Sequence, residues 1–293
     1  ALAFKHAAGL LPCRHFARLR AGLFFPGDTM RNGALHIAIK AARAAGNVIT
    51  RALPKRDSLV IHEKAHLDFV TEVDRLAEAE IIKELRRSFP THGFLGEETG
   101  QVGPTKQQWV IDPLDGTSNF LRGFPHFSVS IALVEKGEPV LGVVFDPLRD
   151  ELFTAEKGRG ALLNDRRLRV TPRKGIEGAL IATGFPFRQR KLFDDHLDMV
   201  KALLKTGEDL RRTGSAALDL AYVACGRFDA YFEMGLQPWD MAAGVLLVRE
   251  AGGQVTDMRG GDGFLAKGHI VAANLNVGGE LRSAIEPFVG GLN

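Results

Sequence analysis

The chain has 293 residues, of which 45% are hydrophobic and 25% are charged, a balance typical of a globular protein with a large core. No apolar run approaches the roughly 20 residues of a membrane-spanning helix. The two cysteines, Cys13 and Cys225, form neither a metal-binding spacing nor a disulfide framework. We therefore expect a cytoplasmic protein in a reducing compartment, with no membrane association.

A basic leader opens the chain at residues 1–29, and its charged residues are Lys5, Arg14, Arg18, Arg20 and Asp28. The leader thus carries the whole net charge of +3, and the body from Met30 onward is neutral. A neutral body gives no support for strong direct nucleic-acid binding. The leader has no clear period and is expected to be a disordered, non-core segment. It fits a transit-like extension or, as we favour, a stretch upstream of a working start at Met30.

Two helices are predicted at the start of the body, at 34–53 and 74–89, because apolar residues recur there at helical spacing. Strand signals follow, and the turn residues at 136–138 join two of them into a hairpin. We therefore expect an antiparallel meander in the N-terminal half, 30–170. Its predicted strands are 93–96, 108–112, 127–135, 139–146 and 150–155.

The C-terminal half, 171–293, has a different texture, because strand-like and helix-like runs alternate there. The predicted strands are 179–183, 228–233, 253–257 and 270–273, and the predicted helices are 192–205, 215–225, 239–251 and 279–288. Sheets covered by helices are the expected architecture. No flexible linker separates the halves, so we expect them to pack as one unit.

The run WVIDPLDGTSNF at 109–120 carries the strongest functional signal. A strand is predicted to end at Asp112, where Pro113 fixes the backbone, and Asp115 follows at the turn. Thr117 is suited to capping the helix that comes next. Two carboxylates beside the N–H groups of a helix start are what metal-assisted phosphate chemistry needs. Taken alone, the run also fits an ordinary type I turn.

Three further pairs of acidic residues lie at the ends of predicted elements, where binding and catalytic groups commonly lie. They are Asp68 with Asp74, Glu97 with Glu98, and Glu233 with Asp240. For any one of them, helix capping or dipole compensation is the simpler explanation. As a set they supply only oxygen donors, which favours Mg²⁺ or Mn²⁺ over Zn²⁺.

The motifs GEET, WVIDPLDGTSNF, GSAA and EMGLQPWDMAAG occur in this order along the chain. In that order and spacing they resemble the inositol monophosphatase family over about residues 33–290, and the string FPHFSVSIAL is most similar to the family's bacterial SuhB-type members. The resemblance implies an α+β fold, the layered αβαβα sandwich of the inositol monophosphatase and fructose-1,6-bisphosphatase type.

The resemblance also implies two or three Mg²⁺ ions per site, with Mn²⁺ as a substitute. The first ion would be bound by Glu97, Asp112 and the carbonyl of Leu114. The second would be bound by Asp112, Asp115 and Asp240, and Glu97 would border a weaker third site.

Catalytic and substrate-binding residues follow from the same resemblance. Glu97 and Thr117 would orient the attacking water, with Asp74 accepting a hydrogen bond from Thr117. The residues implied in substrate binding are Asp115, Gly116, Thr117, Ser215, Ala216, Glu233 and Asp240, with Lys64 as a loop residue near the metals.

The activity implied is hydrolysis of inositol monophosphate by metal-activated water, without a covalent intermediate. Related sugar, histidinol and nucleotide phosphatases are alternatives, but a bisphosphate substrate calls for basic residues near the pocket, and the sequence places none there. A second, non-enzymatic alternative is transcription antitermination and ribosomal RNA maturation through RNA polymerase and Nus factors. Family analogy adds a homodimer and inhibition by Li⁺.

Overall fold

The computed structural model describes residues 26–58, 61–65 and 68–291. Most of the predicted leader therefore lies outside the described residues. The first helix starts at Pro26, ahead of Met30 and of the start predicted from the apolar spacing. Among the described residues, none of the helices combines the length and apolar character that crossing a bilayer requires.

The N-terminal half contains the predicted helices and strands together with several short strands that have no clear sequence signal. Its elements are α1 (Pro26–Ala52), β1 (Ile61–Ala65), β2 (Asp68–Thr71), α2 (Glu72–Ser88), β3 (Gly93–Gly96), β4 (Gly100–Val102), β5 (Gln107–Asp115), α3 (Thr117–Arg122), β6 (Ser128–Glu135), β7 (Glu138–Asp146), β8 (Glu151–Glu156), β9 (Gly160–Leu163) and β10 (Arg166–Arg167).

The C-terminal half alternates strands and helices as expected, and its last long helix begins earlier than predicted. Its elements are β11 (Leu180–Thr183), α4 (Phe193–Leu203), β12 (Asp209–Arg211), α5 (Ala216–Ala224), β13 (Ala230–Met234), α6 (Pro238–Glu250), β14 (Gln254–Thr256), α7 (Phe264–Lys267), β15 (His269–Ala273) and α8 (Leu275–Ile285). Asn274 caps α8 by accepting a hydrogen bond from the Val277 amide at 2.9 Å, and this cap sets the earlier start.

The described strands form a two-stranded hairpin, β1–β2, and two larger sheets. The eight-stranded sheet has the order β10-β9-β8-β7-β6-β5-β3-β4, and the five-stranded sheet has the order β12-β11-β13-β15-β14. From β5 to β10 the strands pair antiparallel, as the predicted meander requires. The exception is β3, which lies parallel to β5, so that both strands end at the same edge of the sheet.

Alternating side chains on each sheet separate the core into layers. On β5, Ile111 packs with α1 and α2, whereas its neighbour Val110 packs with α5 and α6. On β13, Tyr231 faces the same α5–α6 layer, and Phe232 packs with α4 and α8. The order of layers is therefore α1/α2, large sheet, α5/α6, small sheet, α4/α8, which confirms the αβαβα sandwich.

Helix α6 lies between the sheets and is buried along most of its length. It approaches β7 closely at Gly142, where an added Cβ would lie 2.9 Å from the carbonyl oxygen of Ala243 and 3.1 Å from its Cα. The atoms that the added Cβ would meet belong to the backbone of Ala243, so no flexible side chain can move to make room for it. The absence of a side chain at Gly142 thus sets how closely α6, which carries Asp240, lies against the sheet.

We expect Gly142→Ala to lower the free energy of unfolding by about 1–3 kcal/mol, the usual cost of overpacking a core. Urea denaturation followed by circular dichroism measures the change. Gly279→Ala on α8 is the matched control, because open space surrounds that glycine and alanine favours a helix. Equal stability of Gly142→Ala and the wild type would contradict the close approach.

Candidate active site

Strand β5 does not end at Asp112 as predicted but continues to Asp115. Its register with β6 shifts there: Asp112 pairs with Ser130 and Asp115 pairs with Ser128, so three steps on β5 oppose two on β6. Residues three apart on a regular strand point to opposite faces, and the extra residue of a bulge cancels the difference. The two carboxylates therefore line the same pocket.

Thr117 is the first residue of α3 and is not its N-cap, so the predicted capping role is wrong. The cap is Gly116, whose φ of 100° is left-handed and whose Cβ, if present, would lie 3.1 Å from the His126 carbonyl oxygen. The Thr117 hydroxyl lies instead 2.9 Å from Asp74 Oδ1 and 3.0 Å from the Leu114 carbonyl oxygen. Its only proton is therefore engaged by acceptors within the protein, and the oxygen lone pairs of Thr117, which lines the pocket, remain to accept a hydrogen bond.

Asp74 lies behind the pocket at the start of α2, where it forms a capping box with Thr71. Its Oδ2 accepts from the Thr71 amide at 2.8 Å and from the Thr71 hydroxyl at 2.6 Å. Burial raises the pKa of Asp74, and these hydrogen bonds oppose the rise. Both carboxylate oxygens are thus committed, one to α2 and the other to Thr117, and Asp74 acts on the pocket through Thr117.

Asp115 connects β5 to the start of α5. Its Oδ2 accepts from the Ser215 hydroxyl at 2.6 Å and from the Ala217 amide at 2.7 Å. Burial raises the pKa of Asp115, and the Ser215 hydrogen bond opposes the rise. Ser215 is also the N-cap of α5. The predicted contacts Ser215 and Ala216 both line the pocket, and the Ser215 hydroxyl is already oriented by Asp115.

Asp240 and Glu233 come to the pocket from α6 and β13. Asp240 Oδ2 accepts from the Gln237 amide at 2.7 Å, which completes a capping box at the start of α6. Glu233 Oε2 accepts from the Tyr231 hydroxyl at 2.6 Å. Burial raises the pKa of Asp240 to about 8 and that of Glu233 to about 7.

Glu97 follows β3, and its amide donates to the Ile111 carbonyl of β5 at 3.1 Å. The turn after it is fixed by Glu78, a fully buried residue of α2. Glu78 accepts from the Glu98 amide at 3.0 Å and from the Thr99 amide at 2.9 Å. Sequence reasoning missed Glu78. The available signal was its position one helical turn after Asp74, on the same face of α2.

Two arginines, Arg188 and Arg212, also line the pocket. The expectation that no basic residue lies there is therefore wrong. Arg188 Nη1 lies 3.4 Å from Asp240 Oδ2, and its Nη2 lies 3.9 Å from Glu97 Oε1. Both arginines lie in connecting segments without a periodic pattern, so their position depends on tertiary packing. Asp219 on α5 also lines the pocket and was missed, although its helix was predicted; burial raises the pKa of Asp219 well above its ordinary value.

Ten of the predicted site residues line one pocket: Glu97, Asp112, Leu114, Asp115, Gly116, Thr117, Ser215, Ala216, Glu233 and Asp240. The side chain of Lys64 is outside the described part of the structure. Among the His, Cys, Asp and Glu side chains of residues 26–58, 61–65 and 68–291, no group of three is arranged as a metal-binding site.

The donor chemistry of the pocket nevertheless fits a hard cation. Burial raises the pKa of Asp112 well above its ordinary value, and the charges of the neighbouring carboxylates add to the rise. Mutual repulsion of this kind falls when a cation enters. All the candidate donors are oxygens, as Mg²⁺ prefers, and the Leu114 carbonyl retains a lone pair beside the one facing Thr117.

Residues 32–287 match the family model described as "Inositol monophosphatase family". The chain therefore belongs to the inositol monophosphatase family, which supports a phosphatase and confirms the resemblance seen in the motifs.

Among individual relatives, the chain is 53% identical over 262 residues to the Nus factor SuhB of Xylella fastidiosa, covering 87% of this chain and 95% of that protein. The solved structure of the extragenic suppressor protein SuhB from Bartonella henselae matches with a TM-score of 0.84 and 43% identity, over 87% of this chain and 98% of that one. An inositol monophosphatase from Anabaena matches with a TM-score of 0.80 and 39% identity, over 88% and 97%.

The raised pKa of Glu233 predicts a stability that depends on pH. Folding raises this pKa from 4.5 to about 7, so the protonated group contributes stability that is complete below pH 4.5 and lost as pH rises through 7. Glu233→Gln keeps the acceptor for Tyr231 and has no proton to lose. In EDTA we expect the variant to be more stable than the wild type at pH 8, by roughly 3 kcal/mol at most.

Denaturant titrations at several pH values measure this difference, which should vanish as the pH approaches 4.5. A constant difference between the two proteins at all pH values would mean that Glu233 is already ionised in the folded protein.

Proposed function

We propose that this protein is a Mg²⁺-dependent phosphomonoesterase that hydrolyses inositol monophosphate to inositol and phosphate. The observation that supports this best is the convergence of four buried or half-buried carboxylates with the Thr117 hydroxyl in one pocket. Those carboxylates are Glu97, Asp112, Asp115 and Asp240. Family membership gives the reaction class, and the pocket supplies the donors.

The metal ligands are assigned by element. Glu97 after β3, together with Asp112 and the Leu114 carbonyl on β5, would hold the first Mg²⁺. Asp112, Asp115 and Asp240 would hold the second, and Glu97 would border a third, weaker ion. Mn²⁺ fits the same oxygen donors, and Li⁺ inhibition is expected by family analogy.

The chain's own residues would position the water and the phosphate. Bound Mg²⁺ supplies Lewis-acid chemistry that polarises phosphoryl oxygens and acidifies water. The Thr117 hydroxyl donates a hydrogen bond to Asp74, so its oxygen would be left to accept a hydrogen bond from the attacking water, and Glu97 would orient the same water. The amides of Gly116 and Thr117 would bind phosphate oxygens. A direct attack by water requires no covalent phosphoenzyme.

The polyol would lie against Glu233, Ser215 and Ala216, on the α5 side of the pocket. Hydroxyl groups suit carboxylate and hydroxyl partners, which favours inositol monophosphate. Because Arg188 and Arg212 also line the pocket, a substrate with a second anionic group, such as fructose 1,6-bisphosphate, is the leading alternative within the enzyme class. Histidinol and nucleotide phosphates complete the set to be assayed.

We expect Asp115→Asn and Asp240→Asn each to lower kcat for Mg²⁺-dependent phosphate release by at least about 100-fold, because each removes a proposed ligand charge. Asparagine keeps an acceptor for Ser215 or for the Gln237 amide, so the fold should persist. A phosphate-release screen over inositol, fructose, histidinol and nucleotide phosphates, with and without Mg²⁺, measures activity and preference together. Asp198→Asn on the exposed face of α4 is the control. Substantial activity in either site variant would contradict the ligand assignment.

A second function is favoured by the name of the relatives, since proteins at 50–53% identity are called Nus factor SuhB. We propose that this chain also acts in transcription antitermination, as a homodimer that contacts RNA polymerase and Nus factors through its surface. This role does not need the pocket.

Complementation separates the two functions. In a bacterial strain whose growth depends on its own SuhB-type protein, we expect Asp240→Asn to restore growth as well as the wild type. Matched expression of both proteins, checked by immunoblot, is the control. Failure of the folded variant to restore growth would tie the growth phenotype to phosphatase activity.

A further inference from the structure

Arg188 is a cationic side chain among the carboxylates proposed as metal ligands. It lies on the short 3₁₀ segment Phe187–Leu192, just after β11, and its guanidinium packs over the Phe187 ring at 5.2 Å from the ring centroid. The side chain is 26% exposed, so the guanidinium is partly withdrawn from water. Its position is thus fixed by local packing next to the pocket.

The guanidinium lies near one proposed ligand of each metal ion. Nη1 lies 3.4 Å from Asp240 Oδ2, a ligand of the proposed second ion, and Nη2 lies 3.9 Å from Glu97 Oε1, a ligand of the first. The positive charge of Arg188 also acts on Asp115. Burial raises the pKa of Asp240 and of Asp115, and the charge of Arg188 opposes both rises.

Both ion-pair distances are long for charge-assisted hydrogen bonds, which are about 2.7–2.9 Å. Arg188 therefore acts on Glu97 and Asp240 mainly through its charge at a distance. A guanidinium at these distances from Glu97 and Asp240 opposes an incoming cation through its charge without closing the site to it.

We infer that Arg188 competes with the divalent cation for Glu97 and Asp240, and so raises the metal concentration that the site needs. The inference rests on the proposed metal site. Arg188 is not itself a metal ligand. Its positive charge stabilises the carboxylates when no metal is bound, and so sets the metal concentration at which the site fills.

Direct titration with Mn²⁺, followed by electron paramagnetic resonance at pH 8, tests the inference without relying on activity. We expect Arg188→Gln to lower the Kd for Mn²⁺ by about tenfold, the scale of one partly screened charge within 4 Å. Arg188→Lys keeps the charge, so its Kd for Mn²⁺ should stay closer to that of the wild type than the Kd of Arg188→Gln. Arg190→Gln, two residues further on, is the control, because the Arg190 guanidinium packs on Phe193 at 6.0 Å.

Thermal unfolding gives a second measurement that a merely structural role would not reproduce. Arg188→Gln should melt below the wild type in EDTA, because the carboxylates lose a counter-charge, and should gain more than the wild type from saturating Mn²⁺. An equal loss of Tm with and without Mn²⁺ would assign Arg188 to structure alone.

The outcomes distinguish this inference from the proposed function. An unchanged or weaker affinity of Arg188→Gln for Mn²⁺, with normal binding by the wild type, overturns the competition and leaves the metal site standing. A lack of Mn²⁺ binding by the wild type overturns the metal site and the inference together.

Discussion

The structure depends on a group of like-charged carboxylates that are brought together in a buried pocket. Placing negative charges side by side in a low-dielectric interior is costly unless each is compensated. Here each buried acid has a partner of its own: Asp112 accepts from the Leu114 amide, Asp115 from Ser215 and Ala217, and Asp240 from the Gln237 amide. The repulsion that remains favours the entry of a positive charge.

The layered architecture explains how these acids meet. β3 and β5 run parallel and end at the same edge, and α5 and α6 begin there because they fill the space between the sheets. The starts of α5 and α6 therefore face the pocket with the positive ends of their dipoles, and amides at these two starts donate to Asp115 and Asp240. The same dipoles favour an anionic group such as phosphate in the pocket. Packing of α6 against Gly142 holds that alignment.

Much of this could be predicted from the sequence, because long elements have a period and their ends have a chemistry. The long helices and central strands followed from spacing, and the acids followed from their positions at element ends. Short strands such as β4 and β12 have too few residues to show a period. The bulge between Asp112 and Asp115, and the approach of Arg188, arise only when separate segments pack together, so no local pattern contains them.

Several proposed catalytic residues also hold the fold together. Asp74 completes the capping box of α2, Asp240 completes that of α6, and Asp115 links β5 to α5. A chain that used this fold only as a docking surface for transcription proteins would still need these acids, or asparagines with the same acceptors, to start its helices. The architecture therefore gives these acids a role of their own, in addition to the proposed catalysis. Site residues without a role in helix capping are more specific to the proposed catalysis, and Thr117, whose hydroxyl donates to Asp74, is the best example.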